Sequence, residues 1–168
     1  MGFIKTLALR GMLTASASNG ETVWCAELMA SSEPWITLRR DRASALAQVA
    51  DRSKELFIAT DADRRLGFVL IDMRGPFTGY VQSLCVSPEF RNRGYGAMLL
   101  RFAEKRILRD EQHIFLCVSS FNAGAQRFYE RHGYEHVGAL PNHIVEGAAE
   151  IIMRKSKDGL AKTTLTEP

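Results

Sequence analysis

The chain has 168 residues, 46% of them hydrophobic and 24% charged, with 22 Lys and Arg against 19 Asp and Glu for a formal net charge of +3. That length and balance suit a globular domain with a real core and exclude disordered and fibrous classes. The small positive excess is interleaved with acidic residues, so composition does not point to nucleic acid.

The opening stretch "MGFIKTLALRGMLTAS" has a lysine and a short apolar run, but Arg10 breaks the run and no clear small-residue cleavage site follows. It is therefore not read as a signal peptide. Met1-Gly2 followed by Thr6 superficially fits a myristoylation pattern, a match common by chance. No apolar stretch approaches the roughly 20 residues needed to span a bilayer, and a cytoplasmic protein is expected. Cys25, Cys85 and Cys117 are far apart and form no CxxC pair, so neither a disulfide framework nor a zinc site is supported. Cys85 and Cys117 sit in apolar runs and read as buried, reduced thiols.

Residues 21–31, "ETVWCAELMAS", predict a helix that Pro34 stops, and "DRASALAQVADRS" a second one capped by Asp41 or Ser44. The period then changes. "ELFIAT", "LGFVLIDMR" and "YVQSLCV" are short apolar strands joined by turn-rich segments, an antiparallel meander. A helix follows from about Gly94 to Arg109, with Tyr95, Met98, Leu99, Phe102 and Ala103 on one stripe. "HIFLCVS" is a strand so continuously apolar that burial on both faces is expected. "NAGAQRFYERH" is a helix ended by Gly133, and "YEHVGAL" and "AAEIIMRK" are closing strands. The order predicts a mixed α/β fold, with a single domain over residues 1–155 and a loose tail over 156–168.

The chemistry concentrates in "SPEFRNRGYGAMLLRFAEKR", which begins at Ser87. A strand running through a glycine-rich turn into a helix N-terminus makes an anion site, because free backbone N–H groups and the helix dipole both favour negative charge. Gly94 and Gly96 let a phosphate approach the backbone, and Arg91 and Arg93 add charge-assisted bonds; a solvated basic surface turn is the alternative. The segment is not a P-loop, since no Gly-Lys-Ser/Thr follows, nor a dinucleotide fingerprint, since Leu99 stands where the third glycine belongs.

The pattern Arg91-Asn92-Arg93-Gly94-Tyr95-Gly96, preceded by Leu84-Cys85-Val86, resembles the signature of the GCN5-related N-acetyltransferases, the GNAT family. A second segment, carried by Asn122, Ala125, Phe128, Tyr129, Gly133 and Tyr134, is similar to another family motif, and "EIIMRK" looks like the family's final strand. The resemblance runs from about Leu56 to Lys155. It implies a mostly antiparallel mixed sheet whose central strands splay apart, flanked by helices. It also implies acetyl-CoA as the acyl donor. Its pyrophosphate would lie on the loop of Arg91, Asn92, Arg93, Gly94, Tyr95 and Gly96, and its pantetheine arm along the backbone of Leu84, Cys85 and Val86. Asn122 would bond the coenzyme near the arm, and the backbone N–H of Val86 or a neighbour would hold the thioester oxygen. Tyr129 would be the acid that returns a proton to the leaving thiolate, although its helix spacing equally suits a packed face.

The base is not written in these motifs. Gln82 stands where many family members have glutamate, and an amide accepts no proton at neutral pH, though it can position a water. Asp72, His143 and Glu146 are the other candidates. Trp24, Trp35 and the His143 loop would flank the acceptor end, with the two tryptophans either lining a pocket or simply core. The partners implied are acetyl-CoA and an amine acceptor, small molecule or protein, with self-association into a homodimer left open; no metal, nucleic acid or membrane is expected. A non-catalytic acyl-CoA sensor on the same fold is the competing reading, supported by Gln82.

Overall fold

The computed structural model describes residues 8–13, 18–61 and 64–157. In chain order they form β1 (Ala8–Leu13), α1 (Asn19–Ala30), α2 (Arg42–Val49), β2 (Glu55–Asp61), β3 (Arg64–Asp72), β4 (Tyr80–Val86), α3 (Tyr95–Ile107), β5 (His113–Ser119), α4 (Ala123–Arg131), β6 (Glu135–Pro141) and β7 (Ala149–Ser156). The strands make a seven-stranded sheet ordered β1-β2-β3-β4-β5-β7-β6. Every pairing is antiparallel except β4 with β5.

The helix boundaries have local causes. Ser18 caps α1 by accepting from the Glu21 amide, and Asp41 caps α2 by accepting from Ser44 at 2.8 Å. Gly133 takes φ of 85° just past α4, the left-handed conformation that ends a helix without a Cβ clash.

Two departures from the sequence reading bear on the sheet. The opening stretch contains β1, which pairs antiparallel with β2 from Ala8 opposite Thr60 to Leu13 opposite Glu55. The apolar run taken only as a rejected leader is thus in part an edge strand. Ser156, the first residue of the expected tail, closes β7 against His113, and 158–168 lie outside the described residues.

Helices cover both sheet faces, which gives two cores. Leu99, Leu100, Ala103 and Ile107 of α3 pack on Phe57, Val69, Ile71 and Val81. On the other face Cys25, Met29 and Val49 of α1 and α2 pack on Leu56, Ile58, Phe68 and Leu70. Strands β2 and β3 are therefore buried on both sides, their alternate residues divided between the two cores. The expectation for β5 is corrected: one face, Ile114, Leu116 and Val118, is buried, whereas on the other only Ser119 is buried and His113, Phe115 and Cys117 are half-buried.

Strand β4 contains an irregularity that decides which side chains face which core. Ser83 lies opposite Leu70 and Val81 opposite Ile71, leaving Gln82 as an extra residue, a β-bulge. One inserted residue reverses the alternation. Val81 accordingly joins the α3 core while Cys85, four positions on, joins the α1 core.

Phe68 is fully buried beneath α1, with its ring edge-on to Trp24 at 6.4 Å. Phe68→Ala should destabilise the protein by about 3–5 kcal/mol in urea unfolding. Val137→Ala, at a position 44% exposed on β6, should stay within about 0.5 kcal/mol of the parent.

Candidate active site

Strands β4 and β5 touch at one register pair, Tyr80 with Phe115, where the Phe115 amide donates to Gly79 O at 3.1 Å. Beyond it they diverge. The Ser87 amide donates to Leu66 O on the β3 side. By the alternation of an antiparallel ladder, Leu84 and Val86 therefore turn their amides and carbonyls toward β5, into the gap. A cleft of about 840 Å³ occupies this gap, with walls drawn from both layers: Trp35 and Leu38 between α1 and α2, Phe128 and Tyr129 on α4, Leu140 and His143 at the β6–β7 end.

At the end of β4 the chain makes one 3-10 turn, Pro88–Phe90, and enters α3 through two residues of positive φ, Asn92 at 58° and Gly94 at 85°. Among the described residues no side chain caps α3, whose first helical bond is Met98 N–H to Gly94 O. The amides of Tyr95, Gly96 and Ala97 are left without intrahelical acceptors. Successive free amides at a helix start, preceded by left-handed residues, form a concave anion site.

Gly94 needs its left-handed backbone, but Gly96 does not. A Cβ at Gly96 would meet Phe128 at 3.7 Å and Val86 at 3.8 Å, ordinary contacts that the protein itself tolerates. A glycine here costs helix stability relative to alanine, and nothing among the described residues requires it. The requirement fits a group approaching from outside, against the free amides.

The structure brings Leu84, Val86, Arg91, Asn92, Gly94, Gly96, Asn122 and Tyr129 to this one cleft. The side chains of Cys85, Arg93 and Tyr95 do not line it. The Cys85 thiol is 4% exposed on the opposite face, donating to Ser32 Oγ at 3.7 Å and Leu28 O at 3.9 Å. Arg93 is exposed, and Tyr95 packs edge-on against Phe90 with ring centres 6.0 Å apart. Arg91 has protein partners of its own: Nε donates to Val86 O at 3.0 Å and Nη2 to Ser32 Oγ at 3.0 Å, tying the loop to the end of α1. Asn122 Oδ1 caps α4 by accepting from the Ala125 amide at 3.1 Å, so its NH2 group is the part available to a ligand.

Tyr129 is packed between Phe128 and Tyr134, at centroid distances of 5.1 and 5.6 Å, which fixes its ring. Burial pushes its phenol pKa well above the ordinary value, with Cys85 adding to the shift. The Gln82 side-chain carbonyl oxygen, on the bulge, is buried in the cleft lining with no hydrogen-bond donor among the described residues. A buried acceptor with no donor suits an N–H from a ligand.

Among the base candidates, only His143 and Gln82 line the cleft. Asp72 accepts from the Arg74 amide at 3.0 Å at the end of β3, and Glu146 is exposed. Trp24 and Trp35 both pack against the α1 core, and Trp35 also lines the cleft. Among the lining residues that sequence reasoning missed are Tyr80, Ser119, Arg131 and Glu150. For Tyr80, Ser119 and Glu150 the alternation along each strand was the available signal, but alternation does not say which face meets a gap. Cys117, expected to be buried, is half-buried and lines the same cleft. Among the described residues no group of three or more His, Cys, Asp or Glu is placed to hold a metal ion, and no helix is long and apolar enough to cross a membrane.

A splayed β4–β5 pair with an anion cradle at its end defines an acyltransferase of the N-acetyltransferase fold. The profile of the acetyltransferase (GNAT) family matches residues 21–134, and the chain belongs to that family. Solved structures share the fold at low identity. The aminoglycoside 6'-N-acetyltransferase from Enterococcus faecium is 20% identical over 89% of this chain and 96% of its own, with a TM-score of 0.71. An aminoglycoside 6'-N-acetyltransferase complexed with coenzyme A is 19% identical over 89% and 96%, with a TM-score of 0.71. The ribosomal-protein-S18-alanine N-acetyltransferase from Escherichia coli is 15% identical over 90% and 94%, with a TM-score of 0.69.

Two alanine substitutions separate the two glycine roles. Gly96→Ala should leave the melting temperature unchanged or slightly raised while weakening acetyl-CoA binding at least tenfold in calorimetry. Gly94→Ala should lower stability by about 1 kcal/mol, because alanine is strained at positive φ.

Proposed function

We propose that the protein transfers the acetyl group of acetyl-CoA to a primary amine of a small molecule or protein. The observation that carries this reading is the convergence of the β4–β5 gap, the free α3 amides and Tyr129 on one cleft. The fit to the donor rests on three features already described: a cradle that a Cβ at Gly96 would fill, main-chain groups of Leu84 and Val86 open to the gap, and the unpartnered Gln82 carbonyl.

In this reading the amides of Tyr95, Gly96 and Ala97 hold the pyrophosphate, while Leu84 and Val86 pair with the pantetheine amides as a strand would. The Val86 carbonyl is already engaged by Arg91, so Val86 meets the arm through its N–H, and the thioester oxygen takes a main-chain N–H of that strand edge. Bound acetyl-CoA supplies a thioester and a thiolate leaving group of ordinary thiol pKa ~8.5. Tyr129, its pKa raised, keeps its proton throughout the neutral range and delivers it to that leaving group. Arg91 acts first by fixing the loop and second by its charge beside the cradle.

Tyr129→Phe should lower kcat by about 100-fold or more with little change in acetyl-CoA affinity. Because the phenol pKa is raised, ionisation of Tyr129 should cause no fall in kcat below about pH 10. Thiol release followed from pH 6 to 10 checks both. Tight acetyl-CoA binding with no turnover of any amine, together with indifference to Tyr129→Phe, would instead establish the acyl-CoA sensor.

A further inference from the structure

Glu150 lies on β7, opposite Ser119 of β5 and Leu140 of β6. It is 7% exposed, yet it lines the cleft. One carboxylate oxygen accepts from the Ser119 hydroxyl at 2.7 Å. Among the described residues no Lys, Arg or His nitrogen forms an ion pair with it. Its charge is felt by Tyr80 and Cys117, both raised in pKa first by burial and in smaller part by Glu150, so the three groups share one end of the cleft. A carboxylate withdrawn from water and given one neutral hydrogen bond is costly unless a cation completes it. The cleft is where that cation would enter.

We infer that Glu150, held by Ser119, receives the acceptor's ammonium group, which gives up its proton to water in the cleft before the neutral nitrogen attacks the thioester, and that the acceptor is a monoamine on an apolar or aromatic stem. The inference rests on the acetyl-transfer reading above. The stem follows from the wall: Trp35, Leu38, Leu140 and Ile144 line the same cleft, and Leu140 and Ile144 remain 38% and 36% exposed. A single cation follows from the other charges in the lining. Glu33 is exposed, with Oε2 accepting from the Thr37 amide at 3.2 Å, whereas Arg40, Arg91 and Arg131 are cationic. A polyamine or an aminoglycoside would find one buried carboxylate and three arginines.

The test begins with calorimetric binding of acetyl-CoA, and its absence would overturn the acetyltransferase reading rather than the anchor. In that event titration of 2-phenylethylamine into the free protein decides the anchor alone. With the donor bound, thiol release is measured with 2-phenylethylamine, tryptamine, spermidine and kanamycin. The two monoamines should exceed the polycations at least tenfold in kcat/KM. Glu150→Gln should raise KM for 2-phenylethylamine at least tenfold with acetyl-CoA affinity within twofold of wild type, and Glu150→Asp should recover part of the loss. Should no amine turn over, 2-phenylethylamine should still bind the coenzyme A-loaded wild type and not Glu150→Gln. Preference for the polycations, a KM within twofold in Glu150→Gln, no amine binding by wild type, or a parallel loss of acetyl-CoA affinity would each overturn the assignment. The wild-type panel decides the substrate class even if Glu150→Gln fails to fold.

Discussion

The separation of β4 from β5 is the constraint from which the rest of the structure follows. Two neighbouring parallel strands share a single register pair and then part. Backbone donors and acceptors along the parted edges must still find partners, since an unpaired buried amide or carbonyl costs about as much as a lost hydrogen bond. Arg91 takes one of them, the Val86 carbonyl. The remainder of that edge is a strand template waiting for an extended, amide-bearing molecule, which is the chemistry of a pantetheine arm.

The opening is built rather than accidental. The bulge at Gln82 falls beside the last β4–β5 contact, reverses the side-chain alternation, and lets β4 serve the α3 core at Val81 and the α1 core at Cys85. Each parted strand stays anchored on its far side, β4 to β3 and β5 to β7. The antiparallel partners hold the edges apart, and the cores above and below keep them from closing. At the cleft's end, left-handed Asn92 and Gly94 turn the chain so that α3 presents its free amides to the same space.

Much of this was legible locally. The α3 stripe, the Asp41 cap, the Gly133 terminator and the three-strand meander are short-range patterns, and each element formed where its pattern lay. The strand in "LALRGML" was not, because Gly11 and Arg10 interrupt its apolar run and its pairing with β2 lies more than forty residues away. The bulge left no local mark, since an extra residue in a strand is defined by its partner. Glu150 was hidden for a related reason: within "AEIIMRK" it reads as one polar residue of a strand, and only the neighbouring gap turns its face into a binding wall. Arg91 shows the reverse case, a residue whose charge was evident and whose main-chain and Ser32 partners were not.

The central claim is tested most directly by a crystal structure with acetyl-CoA. The account predicts the pantetheine amides bonded to the main chain of Leu84 and Val86, the pyrophosphate oxygens within about 3 Å of the Gly96 and Ala97 amides, and the acetyl carbon facing the Glu150 end of the cleft. Coenzyme seated outside the β4–β5 gap, or those strands zipped together with the α3 amides turned to solvent, would contradict it.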